Sequence, residues 1–143
     1  MFILGAGGVV SSIILALEKM NVSKIILSNR TKQKAEELKK IFKDIELIEW
    51  GKIPEFNMII NATSIGLHEK DEIKLDYKNI GSNKFFYDVI YNPKITKFLS
   101  RAKDFGNKIE NGKMMFVYQA HQSFTLWHKV MPKIDEETIK LLD

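Results

Sequence analysis

The sequence predicts an α/β fold: a doubly wound, mostly parallel sheet with helices on both faces. Three observations predict it. Apolar periodicity switches back and forth between strand and helix spacing along the 143 residues, and strands alternating with helices require crossover connections. Residues 24–27 (Lys-Ile-Ile-Leu) and 58–60 (Met-Ile-Ile) are continuous apolar runs, as strands buried on both faces are. A glycine-rich turn, Gly5-Ala6-Gly7-Gly8, follows the first strand and opens a helix.

The elements follow in order. Phe2 to Leu4 is a short apolar strand ending in Gly5, and Val10, Ile13, Ile14 and Leu17 then recur at helical spacing. Residues 24–27 form the second strand. Ala35, Leu38 and Ile41 or Phe42 mark a second amphipathic helix, its other face charged. Residues 46–50 and 58–61 are the third and fourth strands, and residues 84–89 the fifth. Phe98, Leu99, Ala102 and Phe105 mark a helix that Gly106 closes, and residues 108–110 make a last strand. Phe116, Ala120, Phe124 and Trp127 share one helical stripe, and Asp135 caps a final helix. The strand order expected for such a chain is 3-2-1-4-5-6.

Composition narrows the function. The chain is 45% hydrophobic and 28% charged, with 8 glycines and 3 prolines, which fits a folded domain and excludes low-complexity classes. It has no cysteine, so a disulfide scaffold, a thiolate zinc site and a cysteine nucleophile are excluded. A cytoplasmic location is expected. The net charge of +4 permits acidic ligands without requiring nucleic acid. No apolar run reaches the roughly 18–20 residues that span a bilayer; neither a membrane nor, at this mild charge, nucleic acid is expected as a partner. His68, His121 and His128 lack metal-ligand spacing, and no metal is expected. Glu69, Asp71 and Glu72 read as a solvated acidic loop, and Trp50 and Trp127 as packing residues.

The glycine turn stands in the context of a Rossmann-like NAD(P)-binding fingerprint. Gly5 permits the tight turn, and Gly7 lets backbone approach a pyrophosphate. The following helix offers free N–H groups and a positive dipole end to that anion. Val10 stands where the pattern usually has Gly or Ala. Alone, the turn also fits a plain strand-to-helix connection. The second strand adds information. Asp or Glu about 20 residues after the turn accepts from the ribose of NAD, yet residues 20–30 contain no acid. Instead the strand ends Ser28-Asn29-Arg30-Thr31, with Lys34 one turn on. A guanidinium and an ammonium there suit the 2′-phosphate of NADP. Read otherwise, Thr31 simply caps a helix flanked by solvated cations, although cations near a helix N-terminus are unfavourable.

Five segments together resemble the nucleotide-binding domain of shikimate dehydrogenases and the related quinate/shikimate dehydrogenases. They are Gly5-Ala6-Gly7-Gly8, Ser28-Asn29-Arg30-Thr31, Asn61-Ala62-Thr63-Ser64-Ile65-Gly66, Tyr87-Asp88-Val89-Ile90-Tyr91-Asn92-Pro93, and residues 112–127. The resemblance covers essentially the whole chain. It implies that Gly5, Ala6, Gly7, Gly8 and Val9 hold the pyrophosphate, and that Asn29, Arg30, Thr31 and Lys34 hold the 2′-phosphate. Asn61, Ala62 and Thr63 line the cofactor, while Val89 and Gly112 lie beside the nicotinamide with Met115 packing nearby. Tyr91 and Gln119 hydrogen-bond the substrate from one cleft. Met114 departs from the family, where a second Gly commonly follows Gly112.

The function so implied is NADP-dependent, reversible reduction of 3-dehydroshikimate to shikimate, in aromatic amino-acid biosynthesis. Two alternatives are a quinate/shikimate dehydrogenase of broader cofactor use and a non-catalytic dinucleotide-binding module. In the family, an N-terminal domain binds most of the substrate and supplies a catalytic Lys–Asp pair. No segment here matches it, so the expectation is a single dinucleotide-binding domain over residues 1–143 that contains no catalytic residue. Residues 113–143 are then expected to pack towards that missing domain, leaving apolar side chains of residues 124–143 exposed or self-associated.

Overall fold

The computed structural model describes residues 1–142. Six strands form one sheet: β1 (Phe2–Leu4), β2 (Ile26–Ser28), β3 (Glu46–Ile48), β4 (Met58–Asn61), β5 (Phe85–Asp88) and β6 (Lys108–Glu110). Their order is β3-β2-β1-β4-β5-β6, and every pairing is parallel. That is the expected order, with the chain reversing direction of travel between β1 and β4. The helices are α1 (Gly8–Lys19), α2 (Lys32–Ile41), α3 (Tyr77–Ile80), α4 (Lys97–Asp104), α5 (Lys113–His128) and α6 (Glu136–Lys140). None is long and apolar enough to cross a membrane.

Side chains alternate across each strand, and here both faces are buried. Phe2, Leu4, Ile26, Ile59 and Phe86 join Phe98, Leu99 and Ala102 of α4 in one core. Ile3, Leu27 and Ile60 join Val10, Ile14 and Leu17 of α1 and Ala35 and Leu38 of α2 in the other. The continuous apolar runs follow from this: β1 and β2 are buried throughout, as are Ile59 to Asn61 of β4. Val10, at the third fingerprint position, is fully buried.

Local signals set the helix ends. Gly106 adopts φ +76 after α4, and the Asp135 carboxylate accepts from the Thr138 amide at the start of α6, both as expected. On the charged face of α2, Lys32 pairs with Glu36 at 3.6 Å.

Three features differ from expectation. The single turn α3, capped by Asp76, has no counterpart in the sequence reading, because four residues carry no readable period. The acidic loop is not simply solvated: Asp71 accepts from the Gly66 and His68 amides, and Glu72 pairs with Arg101 at 2.8 Å. Trp127 is not a packing residue; it is 78% exposed. The apolar stripe of α5 predicts a helix correctly, yet only Val117 of that helix is buried. Phe124, Leu126, Trp127, Val130, Met131 and Leu141 are all exposed, in line with the expectation for this end of the chain.

Candidate dinucleotide site

At the carboxyl edge of the sheet, the turn after β1 packs against the chain leaving β4. The Gly5 amide donates to Ser28 O at 2.8 Å, and Gly5 has φ +111. A Cβ at this position would lie 2.6 Å from Ala62 O and 3.1 Å from Thr63 Cγ2. Only glycine satisfies both the backbone and the space. Gly7 is the N-cap of α1 and makes no side-chain cap bond, and the first turn carries no acid. The first amides of α1 are therefore open to an anion.

A cavity of about 320 Å³ opens beside this turn. Gly5, Ala6 and Gly7 form one wall, Asn29, Arg30, Thr31 and Lys34 a second, and Ala62, Thr63, Ser64 and Ile65 a third. Gly8 and Val9 lie just beyond it, on the first turn of α1. Among the described residues no carboxylate pairs with Arg30 or Lys34. Asn29 Nδ2 donates to Thr31 O at 2.8 Å, which fixes the loop after β2. Thr31 occupies the N-cap of α2, but its hydroxyl makes no cap bond. Thr31 thus takes the capping position without the side-chain cap bond. Ser28, fully buried under this wall, has an Oγ without a hydrogen-bond partner.

Trp50 also lines the cavity. It packs partly against the core, as expected, and its other side faces the site. The signal available in the sequence was its position just after the third strand, which ends at the same edge.

The second part of the edge follows β5. The Gly112 amide donates to Ile90 O at 3.2 Å, and a Cβ at Gly112 would lie 2.0 Å from Val89 O. Glycine thus allows α5 to start directly against the end of β5. Met114 and Met115 are half-buried on its first turn. The Tyr91 ring stacks on Phe116 of α5 with centroids 4.6 Å apart. Gln119, three residues further along α5, is exposed. The chain thus gathers the Gly5–Arg30–Thr63 residues round one cavity and Val89, Tyr91 and Gly112 at the foot of α5. Asn61, expected as a lining residue, is fully buried beneath both groups.

Residues 1–97 match the Shikimate / quinate 5-dehydrogenase family. The NADP(+) shikimate dehydrogenase of Pelagibacter ubique (strain HTCC1062) is 62% identical over 141 residues, 99% of this chain and 53% of that protein. The crystal structure of shikimate dehydrogenase from Aquifex aeolicus superposes with a TM-score of 0.81 at 32% identity, covering 99% of this chain and 52% of the other. Shikimate 5-dehydrogenase from Thermus thermophilus, in complex with NADP(H) and shikimate, gives 0.81 at 28% identity, with the same coverage. The chain spans about half the length of the curated relatives it matches.

Proposed function

Since the chain belongs to the shikimate / quinate 5-dehydrogenase family, we propose that residues 1–143 form the NADP-binding portion of a shikimate dehydrogenase, an enzyme of aromatic amino-acid biosynthesis expected in the cytoplasm. The observation that carries this is the pairing, in one cavity, of the open α1 N-terminus with Arg30 and Lys34.

Each part has a chemical task. The amides at Gly7, Gly8 and Val9 would receive the pyrophosphate, with no Cβ at Gly5 or Gly7 to hold it off. Arg30, the Thr31 hydroxyl and Lys34 would receive the 2′-phosphate, a dianion whose oxygens only accept. Trp50 gives the adenosine side an aromatic wall. An acid at residues 28–31, which NAD would require for its ribose, is replaced by these donors. Val89, Gly112 and Met115 would border the nicotinamide, which when bound supplies a hydride donor or acceptor. Tyr91 and Gln119 would hydrogen-bond the substrate, since a phenol and an amide both donate and accept, as do the hydroxyls of a shikimate ring. We assign no catalytic acid or base to residues 1–142. In this reading, proton transfer at the oxidised hydroxyl belongs to the part of the relatives' length that this chain does not span.

Calorimetric titration of residues 1–143 with NADP⁺ and NAD⁺ tests the cofactor, and NADP⁺ should bind more tightly. Equal affinities would overturn the 2′-phosphate assignment. Beside that binding, a spectrophotometric assay with shikimate and NADP⁺ should show no turnover, because positioned acid–base groups supply about 10²–10⁴-fold in rate. Robust NADPH production would mean that this chain carries its own acid–base pair.

A further inference from the structure

Asp88 and Thr96 have no part in the proposed contacts, yet both are buried directly beneath them. Asn61 and Asp88 are register partners at the last pair of β4 and β5. One further backbone bond, from the Val89 amide to Asn61 O at 3.0 Å, ends the ladder. Beyond it the two strand ends diverge, one towards Thr63 and Gly5, the other towards Tyr91 and Gly112.

Side chains hold the divergence in place. Asn61 Oδ1 accepts from the Thr63 amide at 3.1 Å and the Thr63 hydroxyl at 2.7 Å. Asp88 Oδ1 accepts from the Ile90 amide at 3.0 Å. These two turns are tied together by Asn61 Nδ2, which donates to Asp88 Oδ1 at 3.0 Å and to Ile65 O at 3.1 Å. On its other oxygen Asp88 accepts from the Thr96 hydroxyl at 2.6 Å. Thr96 Oγ1 in turn accepts from the Leu99 amide and caps α4, whose Phe98 and Leu99 are locked in the core.

We propose that Asp88, held by Thr96, is the positioning residue that fixes the phosphate-side and nicotinamide-side walls of the dinucleotide site relative to one another. The proposal rests on the dinucleotide reading above. Its chemistry suits a carboxyl group. Three donors converge on Asp88, from Asn61, Ile90 and Thr96, and a carboxylate meets them with two oxygens that only accept. An amide would keep its oxygen on the Asn61 and Ile90 donors and turn its N–H towards Thr96 Oγ1, reversing the direction of that bond. The link reaches both walls. Thr63 Cγ2 lies 3.1 Å from where a Gly5 Cβ would stand, and Ile90 carries the carbonyl that receives the Gly112 amide. Burial disfavours the Asp88 charge, and the Thr96, Ile90 and Asn61 hydrogen bonds oppose that. Burial is the larger of the two effects, and the Asp88 carboxyl is held above its ordinary range.

Asp88→Ala would leave those donors buried and unpaired, so the test uses Thr96→Val, which keeps the shape and deletes the hydroxyl. Two probes are titrated into residues 1–143: NADP⁺, which spans both walls, and adenosine 2′,5′-bisphosphate, which reaches only the phosphate side. Thr96→Val should weaken NADP⁺ about tenfold, as loss of one charged hydrogen bond permits. The bisphosphate should change by no more than about twofold, and Thr96→Ser should restore NADP⁺ binding. If Thr96→Val does not fold, Thr96→Ala, which also deletes the hydroxyl, should give the same split. Equal weakening of both probes, or no change in either, would overturn the positioning role while leaving the dinucleotide reading intact. An unmutated chain that binds neither probe would overturn both.

Discussion

The sheet body, residues 1–112, and the C-terminal helices, residues 113–142, are built on opposite terms. In the body, both faces of the sheet are covered, and β1, β2 and all of β4 but Met58 are buried. In the helices, α5 buries one residue and α6 none. The proposed phosphate contacts all lie in the body, where turn geometry is set by packing. Met115 and Gln119 ride on α5, whose apolar side chains the described residues leave largely open. The chain's own packing therefore determines the proposed phosphate side far more tightly than the proposed substrate side.

The largest effect that can break this comparison comes from two aromatic deletions. Phe86 is fully buried and contacts Phe56, Tyr77 and Phe98 with ring centroids 6.1, 5.9 and 5.2 Å away. Phe86→Ala should cost about 3–5 kcal/mol in urea unfolding, from lost transfer energy and the cavity left behind. Trp127→Ala deletes a larger ring and should change stability by no more than about 0.5 kcal/mol. A Trp127→Ala loss approaching that of Phe86→Ala would mean that the C-terminal helices are packed in solution, and the contrast would fail.

The same contrast governs what the sequence made legible. Ile59 and Ile60 belong to opposite cores, and their continuous apolar run follows from a strand with no wet face. Gly5 was readable because its turn tolerates no side chain. The period of Phe116, Ala120, Phe124 and Trp127 announced a helix with an apolar face, but periodicity cannot say what that face meets. The Asn61–Asp88 bond was illegible for another reason. The two residues are 27 apart in the chain, and only the register of β4 on β5 brings them together. Trp50 was half read, since an aromatic residue beside a core packs on one side and can line a cavity on the other.

A second, smaller effect sharpens the comparison at the level of binding. Arg30 is exposed at the cavity rim without a carboxylate partner among the described residues, and a charged hydrogen bond contributes about 1.5–3 kcal/mol. Arg30→Ala should therefore weaken NADP⁺ roughly ten- to a hundred-fold by calorimetry and leave NAD⁺ nearly unchanged. Gln119→Ala, on α5, should leave both dinucleotides unchanged, since its proposed partner is the substrate. A Gln119→Ala chain that loses NADP⁺ affinity would move that residue into the cofactor site and erase the division of labour.

The smallest effect sets one aspartate from each region against the other. Asp88 lies in the body, where burial raises its pKa above the ordinary 3.8 against the pull of Thr96, Ile90 and Asn61. Its folded state holds a proton more tightly than the unfolded chain does. Stability from this group is therefore fully present below pH 3.8 and declines as pH rises through the raised value. Asp135 begins α6 on the surface, and its pKa is lowered, chiefly by the backbone and side-chain hydrogen bonds from Thr138. Its contribution runs the other way: it is present above pH 3.8 and is lost as pH falls through the lowered value. Asparagine at either position removes the titration and keeps the shape, and at an N-cap it is as favourable as aspartate. Thermal melting of the two variants beside the unmutated chain, from about pH 3 to pH 7, separates them. The Tm of Asp88→Asn relative to the unmutated chain should climb as pH rises from 3.8. That of Asp135→Asn should fall slightly over the lower end of the range and then stay level. Parallel profiles would mean that Asp88 is as well solvated as Asp135, and the buried link between the two walls would lose its physical basis.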